Sequence, residues 1–226
     1  MSKLVRHIAG SLIAGGMLAA VSLSAAARTE SAAGAAPAEA RQAATAPQMA
    51  VNAPFAEKVM VGGRSVQLNG AGTRYKAVFQ VYRAALYTEK PIQQYGDMAG
   101  GNEAKRIHLV MLREVNANEL GGMFIRGIQE NIDKSSSARM MPALLRMSAL
   151  FNDYKKLEAG DSVTLDWVPG KGTVVSVRGV PTSDAIPEVQ FYQALAGIWL
   201  GAAPADWKLR DAMLGVKATT DTANRN

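Results

Sequence analysis

Apolar residues recur along this chain with two different periods, and the switches between them outline a fold. Lys58-Val59-Met60-Val61 runs into Gly62-Gly63, a turn signal, and Ser65-Val66-Gln67-Leu68 alternates polar with apolar beyond it, which predicts a hairpin. Asn69-Gly70-Ala71-Gly72 reads as a break. TRYKAVFQVYRAALYT follows, rich in aromatic and β-branched residues, and predicts one long strand over residues 73–88. Along it Val78, Gln80 and Tyr82 would share one face, with Phe79, Val81 and Arg83 on the other. Residues 91–103 hold Gly96, Gly100 and Gly101 and predict a loop with one helical turn; residues 106–112 predict another strand.

The period then lengthens. Asn116 suits an N-cap with Glu119 as its capping partner, and Leu120, Phe124, Ile128 and Ile132 repeat every four residues. A second helix is expected over residues 138–154, where Met140, Leu144, Met147, Phe151 and Tyr154 form a stripe and Pro142 must sit in the first turn. Alternation returns at Val163, Leu165 and Trp167, turns at residues 169–172, and resumes at Val175 and Val177. Two last helices are expected over residues 187–200 and 204–214, with proline in the first turn and Gly201 and Gly215 at the ends. Strands, helices, a hairpin and helices again give an α+β fold, an antiparallel sheet covered by helices.

Both ends fall outside that pattern. Residues 1–27 carry two cations, Lys3 and Arg6, then an apolar run from Ile8 to Leu23 and the small-residue site Ala25-Ala26-Ala27, the layout of a signal peptide. The run is short of the roughly 20 strongly apolar residues of a membrane span. The expected location is therefore periplasmic or secreted. Residues 28–54, rich in Ala and Pro, read as a flexible linker, residues 55–215 as one domain and residues 216–226 as a disordered tail.

Charge and composition narrow the chemistry. The formal charge is +6 over 226 residues and falls to 23 − 19 = +4 without Lys3 and Arg6, with the cations scattered, so no nucleic-acid partner is expected. There is no cysteine, hence no disulfide or thiolate chemistry. His108 is the one histidine beyond the leader; without G-x-S-x-G around a serine, and without further His or Cys ligands, a nucleophilic triad and a metal site are both unsupported. Gly70-Ala71-Gly72-Thr73-Arg74 lacks the third glycine, the lysine and the following helix of a phosphate loop. Eleven methionines could line a pliable pocket, with core filling the expected role; Trp167 and Trp207 could be surface anchors, with ordinary packing the expected role for both.

What remains is Arg74, followed by Tyr82 and Tyr87. A guanidinium fork suits a carboxylate, and a tyrosine hydroxyl completes the oxygen's hydrogen bonds. On an even/odd count Arg74 and Tyr82 share a face, while Tyr87 points the other way unless a bulge intervenes.

LNGAGTRYKAVFQVYRAALYT, KRIHLVMLREVNANEL, the helix ending Gln129-Glu130-Asn131, and IPEVQFYQALAGIWLG with its later DAMLG resemble, in this order, the chalcone isomerase-like superfamily, specifically its bacterial exported type. The resemblance implies an open-faced β-sandwich with a ligand cleft between sheet and helices, and it implies no cofactor. It maps the anion-gripping Arg of the family's fatty-acid binders to Arg74 and their Tyr to Tyr82. The isomerases' Asn maps to Asn131. Their catalytic Tyr falls on Phe124, and their Lys has no counterpart between Lys105 and Lys134. The expected ligand site is thus Arg74, Tyr82, Tyr87 and Asn131, holding a small amphipathic carboxylate such as a fatty acid without catalysis. An isomerase or lyase acting on a phenolic or enone substrate is the alternative, and a ligand-free partner-binding module of the cell envelope a third.

Overall fold

A computed structural model describes residues 53–182 and 184–216. The expected leader, most of the linker and nearly all of the tail lie outside these residues. Seven antiparallel strands form the main sheet in the order β1-β2-β3-β4-β7-β8-β9: β1 (Lys58–Val61), β2 (Arg64–Lys76), β3 (Phe79–Thr88), β4 (Lys105–Met111), β7 (Ser162–Val168), β8 (Gly172–Val177) and β9 (Val180–Pro181). Two short strands, β5 (Val115–Asn116) and β6 (Lys156–Leu157), pair separately. Helices α1 (Ala117–Glu130), α2 (Lys134–Arg139), α3 (Met141–Ala149), α4 (Val189–Leu200) and α5 (Trp207–Met213) complete the domain. The architecture is the expected α+β one.

Strand alternation sorts side chains onto two unlike faces. Tyr82, Leu86, Ile107, Leu109 and Leu165 join Leu120, Phe124, Phe151, Leu195 and Trp199 of the helical layer and its connections in the main core. The opposite face holds a smaller cluster of Phe55, Val61, Val66, Ala85, Tyr87 and Val110. The stretch ahead of β1 lies on that second face. There Tyr87 Oη donates to Ala56 O at 3.0 Å, and the Phe55 ring meets His108 edge-on at 5.4 Å.

Several expectations change in detail. The expected break at residues 69–72 is strand: β2 continues through it, and its two glycines answer a close approach. A Cβ on Gly70 would lie 2.1 Å from Ala212 O, and one on Gly72 would lie 2.9 Å from the Ala212 Cβ, so α5 packs directly on the β2 backbone. The expected single strand over 73–88 is two strands, reversing at Ala77-Val78 between the paired Lys76 and Phe79. The helix expected over 138–154 is two: α2, capped by Asp133, and then α3, which carries Pro142 in its first turn. Phe151 and Tyr154 lie beyond the end of α3. Pro187 and Pro204 sit just outside the N-caps of α4 and α5, which are Glu188 and Asp206. Asn116 does cap α1, accepting from the Glu119 backbone N–H at 3.1 Å.

Candidate functional site

Arg74, near the end of β2, is directly paired with Tyr82 of β3. Counting back from the turn, regular pairing would set Val81 opposite Arg74. The register instead runs Tyr75↔Gln80 and then Arg74↔Tyr82, so one extra residue in β3 forms a bulge. That bulge places Tyr82 on the helix-covered face beside Arg74. The guanidinium carbon lies 5.7 Å from the centre of the Tyr82 ring.

A cavity of about 190 Å³ opens against this pair. Leu120, Met123, Phe124 and Gly127 of α1 and Ile198 of α4 form its apolar wall, and Ala203 and Ala205 come from the loop between α4 and α5. Arg126 and Glu130, on the exposed side of α1, stand at its rim. Phe124 is the aromatic ring of the wall that packs inward, meeting Phe151 and Trp199 edge-to-face at 5.7 and 5.4 Å.

The hydrogen bonding is incomplete in an informative way. Trp199 Nε1 donates to Tyr82 Oη at 2.9 Å. The indole is donor-only, so the Tyr82 hydroxyl accepts there and keeps its own proton for another acceptor. Burial pushes this phenol up to about 12, against lowering contributions from Arg74 and from the Trp199 bond. At neutral pH it is a donor, not a base. Arg74 Nε is buried without a hydrogen-bond partner. Arg74 and Tyr82 thus line, side by side, a cavity whose helical wall is largely apolar, an arrangement that suits an oxyanion attached to a nonpolar body.

The other two expected site residues, Tyr87 and Asn131, do not line the cavity. Tyr87 is five residues from Tyr82 along β3, past the bulge, so it faces the second core, where its hydroxyl is used by Ala56. Asn131, the C-cap of α1, spends its amide on structure: Nδ2 donates to Gly127 O at 2.8 Å and Ala203 O at 3.0 Å, and Oδ1 accepts from Ala203 N at 2.9 Å. It clamps the loop that supplies Ala203 and Ala205 to the cavity wall. Trp199, Met123 and Arg126 were not legible as site residues. Trp199 sits on a helix buried nearly all round, so no periodic signal separates it from core packing.

His108 faces the second core, where burial and then the neighbouring Arg106 lower it to about 4. Among the described residues no group of three or more acidic or histidine side chains is placed to hold a metal ion.

Residues 48–215 match the chalcone isomerase-like family. No curated protein matches. Among solved structures the chain is similar to a fatty-acid binding protein of Arabidopsis thaliana, with 16% identity and a TM-score of 0.54, covering 70% of this chain and 96% of that one. At that identity the likeness speaks to the fold.

Proposed function

The chain belongs to the chalcone isomerase-like family, and from that premise we propose that it is an exported binding protein. It holds a small amphipathic anion, such as a fatty acid, between sheet and helices without transforming it. The observation that carries this reading is that Arg74 and Tyr82, a guanidinium with no acceptor at its Nε and a phenol that keeps its own proton, line one cavity together with apolar side chains of two helices. The bound carboxylate would accept from both while Leu120, Met123 and Ile198 cover the carbon chain. The fatty-acid binding function of the structural neighbour agrees with this chemistry.

Binding is favoured over proton transfer by the groups that line the cavity. Phe124 stands on the wall with no hydroxyl to offer, and Tyr82, held neutral to about 12, is a poor acid–base catalyst near pH 7. Arg126 and Glu130 are at the solvent side, where their charges are hydrated. A chalcone assay followed by absorbance should show no turnover above the uncatalysed rate. Clear acceleration would restore the isomerase reading.

Calorimetry with a series of fatty acids and their methyl esters tests the binding itself. The acid should bind more tightly than its ester. Arg74→Ala should weaken acid binding roughly 10- to 150-fold, the value of a charge-assisted hydrogen bond of about 1.5–3 kcal/mol. Equal affinity for acid and ester would remove Arg74 from the reading. Export rests on the first 27 residues alone: N-terminal sequencing of the secreted protein should begin near Arg28, and recovery of only the full-length chain in the cytoplasm would overturn it.

A further inference from the structure

The β2–β3 hairpin breaks the rules of its own turn. Two-residue connections favour Gly, Asn or Asp, because the backbone there turns left-handed. This one is Ala77-Val78, with Ala77 held at φ 54°, a strained position for a residue with a Cβ. Val78 is 82% exposed and Phe79 59% exposed, so the apolar residues at the tip contribute little to the core. Residues that favour neither the turn nor the core point to something outside the chain.

A second exposed ring lies close by. The Tyr75 backbone N–H donates to Asp206 Oδ2 at 3.1 Å, and Asp206 caps α5, whose first residue, Trp207, is 56% exposed. Cations accompany each apolar group. Arg113 lies over the Phe79 ring at 5.6 Å, Arg210 over Trp207 at 5.1 Å, and Lys76 precedes the turn. Two nearby carboxylates are already engaged, since Asp206 also accepts from the Lys208 and Leu209 backbone and Glu114 pairs with Lys156 at 2.7 Å. Glu114 and Glu119 share a depression with Arg74, Lys76 and Arg113, three cations to two carboxylates.

We infer that the β2–β3 tip and the start of α5 form a docking surface for an anionic lipid bilayer. A projecting turn with an aliphatic and an aromatic tip, ringed by long cationic side chains, fits the boundary between headgroups and acyl chains. Arg74 lines both the ligand cavity and the depression behind this tip, so docking would set the cavity mouth against the lipid. Among the described residues no helix is long and apolar enough to cross a membrane. The inference is independent of what the cavity holds.

Amide hydrogen exchange on the full chain, with and without vesicles, tests it and locates the contact whatever other segment touches lipid. Vesicles containing phosphatidylglycerol should slow exchange in peptides covering residues 75–80 and 206–210, and vesicles of phosphatidylcholine alone should do so much less. Raising salt from about 0.1 M to about 1 M, which shortens the screening length from roughly 10 Å to 3 Å, should reduce the effect. The Val78→Asp/Phe79→Asp variant should need roughly tenfold more lipid for the same protection, with sheet exchange unchanged. Trp207→Ser should act in the same direction. Unchanged exchange at both segments with the anionic vesicles would overturn the inference. So would protection that appears without lipid and grows with protein concentration, which would make the surface a contact between copies of the chain.

Discussion

Two arginines, on opposite faces of one sheet, show what a partner changes. Arg106 of β4 is bound at two atoms to Asp166 of β7, at 2.6 and 2.5 Å, within the strand pairing that sets Arg106 beside Asp166. Arg74 of β2 has a tyrosine ring for a neighbour and a buried Nε with no acceptor. The first guanidinium is complete within the chain and contributes to the fold. The second is half-buried, and its shielded Nε finds no acceptor among the described residues. A half-buried arginine thus reads as structural or as receptive according to whether its acceptor is already present.

The sharpest way to break this comparison is to remove the acceptor from the complete pair. Asp166→Ala leaves Arg106 largely buried and unpaired and should cost about 3 kcal/mol in chemical denaturation, with fatty-acid affinity unchanged. A loss of affinity at constant stability would mean the two faces are not separate.

His108 sharpens the contrast from the same face. Its neutral form is held by burial down to about 4, against about 6.5 when unfolded, so between these values the unfolded chain binds more protons. Its contribution is present above pH 6.5 and is lost as pH falls toward 4, on the order of 3 kcal/mol in all. Denaturation curves at pH 7 and pH 4.5 should show most of that loss, and His108→Gln should flatten it. An unchanged slope in the variant would assign the acid sensitivity to the carboxylates.

Arg74→Ala should do the reverse of Asp166→Ala. Stability should stay within about 1 kcal/mol of the parent, since no internal partner is orphaned, while ligand affinity falls as calculated above. A large stability loss would make Arg74 structural. Tyr82→Phe is the smallest of the set: it should weaken binding by about 0.5–1.5 kcal/mol by calorimetry, and part of any stability change would come from the Trp199 N–H left without its acceptor.

The sequence pattern carried the element order and the two-sided sheet, because alternation and 3.6-residue stripes report burial directly. It also put Arg74 and Tyr82 on one face, by a count along a single strand that does not exist. They meet because the chain reverses at Ala77-Val78 and β3 gains a residue before Tyr82, and neither event has a turn residue to announce it. Glycine misled in the other direction: Gly70 and Gly72 resemble turn residues, yet they make room for α5, 140 or so positions away in the chain. Asn131 was singled out by motif and lies near the cavity, but its hydrogen bonds to Gly127 and Ala203 could only be seen once the α4–α5 loop was in place. Trp207 illustrates the limit for single residues. Composition favours burial of a tryptophan, and only its position at the start of a short helix leaves it in solvent.

The Phe124 ring in the cavity wall, held from behind by Phe151 and Trp199, acts as a ruler. At about 190 Å³ the space is smaller than the roughly 300 Å³ at which pockets for drug-sized ligands begin. A short carboxylate could enter the structure as it stands, at a rate set by encounter. A long one would have to wait for Phe124 to leave its contacts with Phe151 and Trp199, and its apparent affinity would be divided by the fraction of molecules in which that has happened. Selectivity for chain length would then be a matter of timing and population, written in the mobility of one side chain and adjustable at Phe124 without touching the charged end of the site.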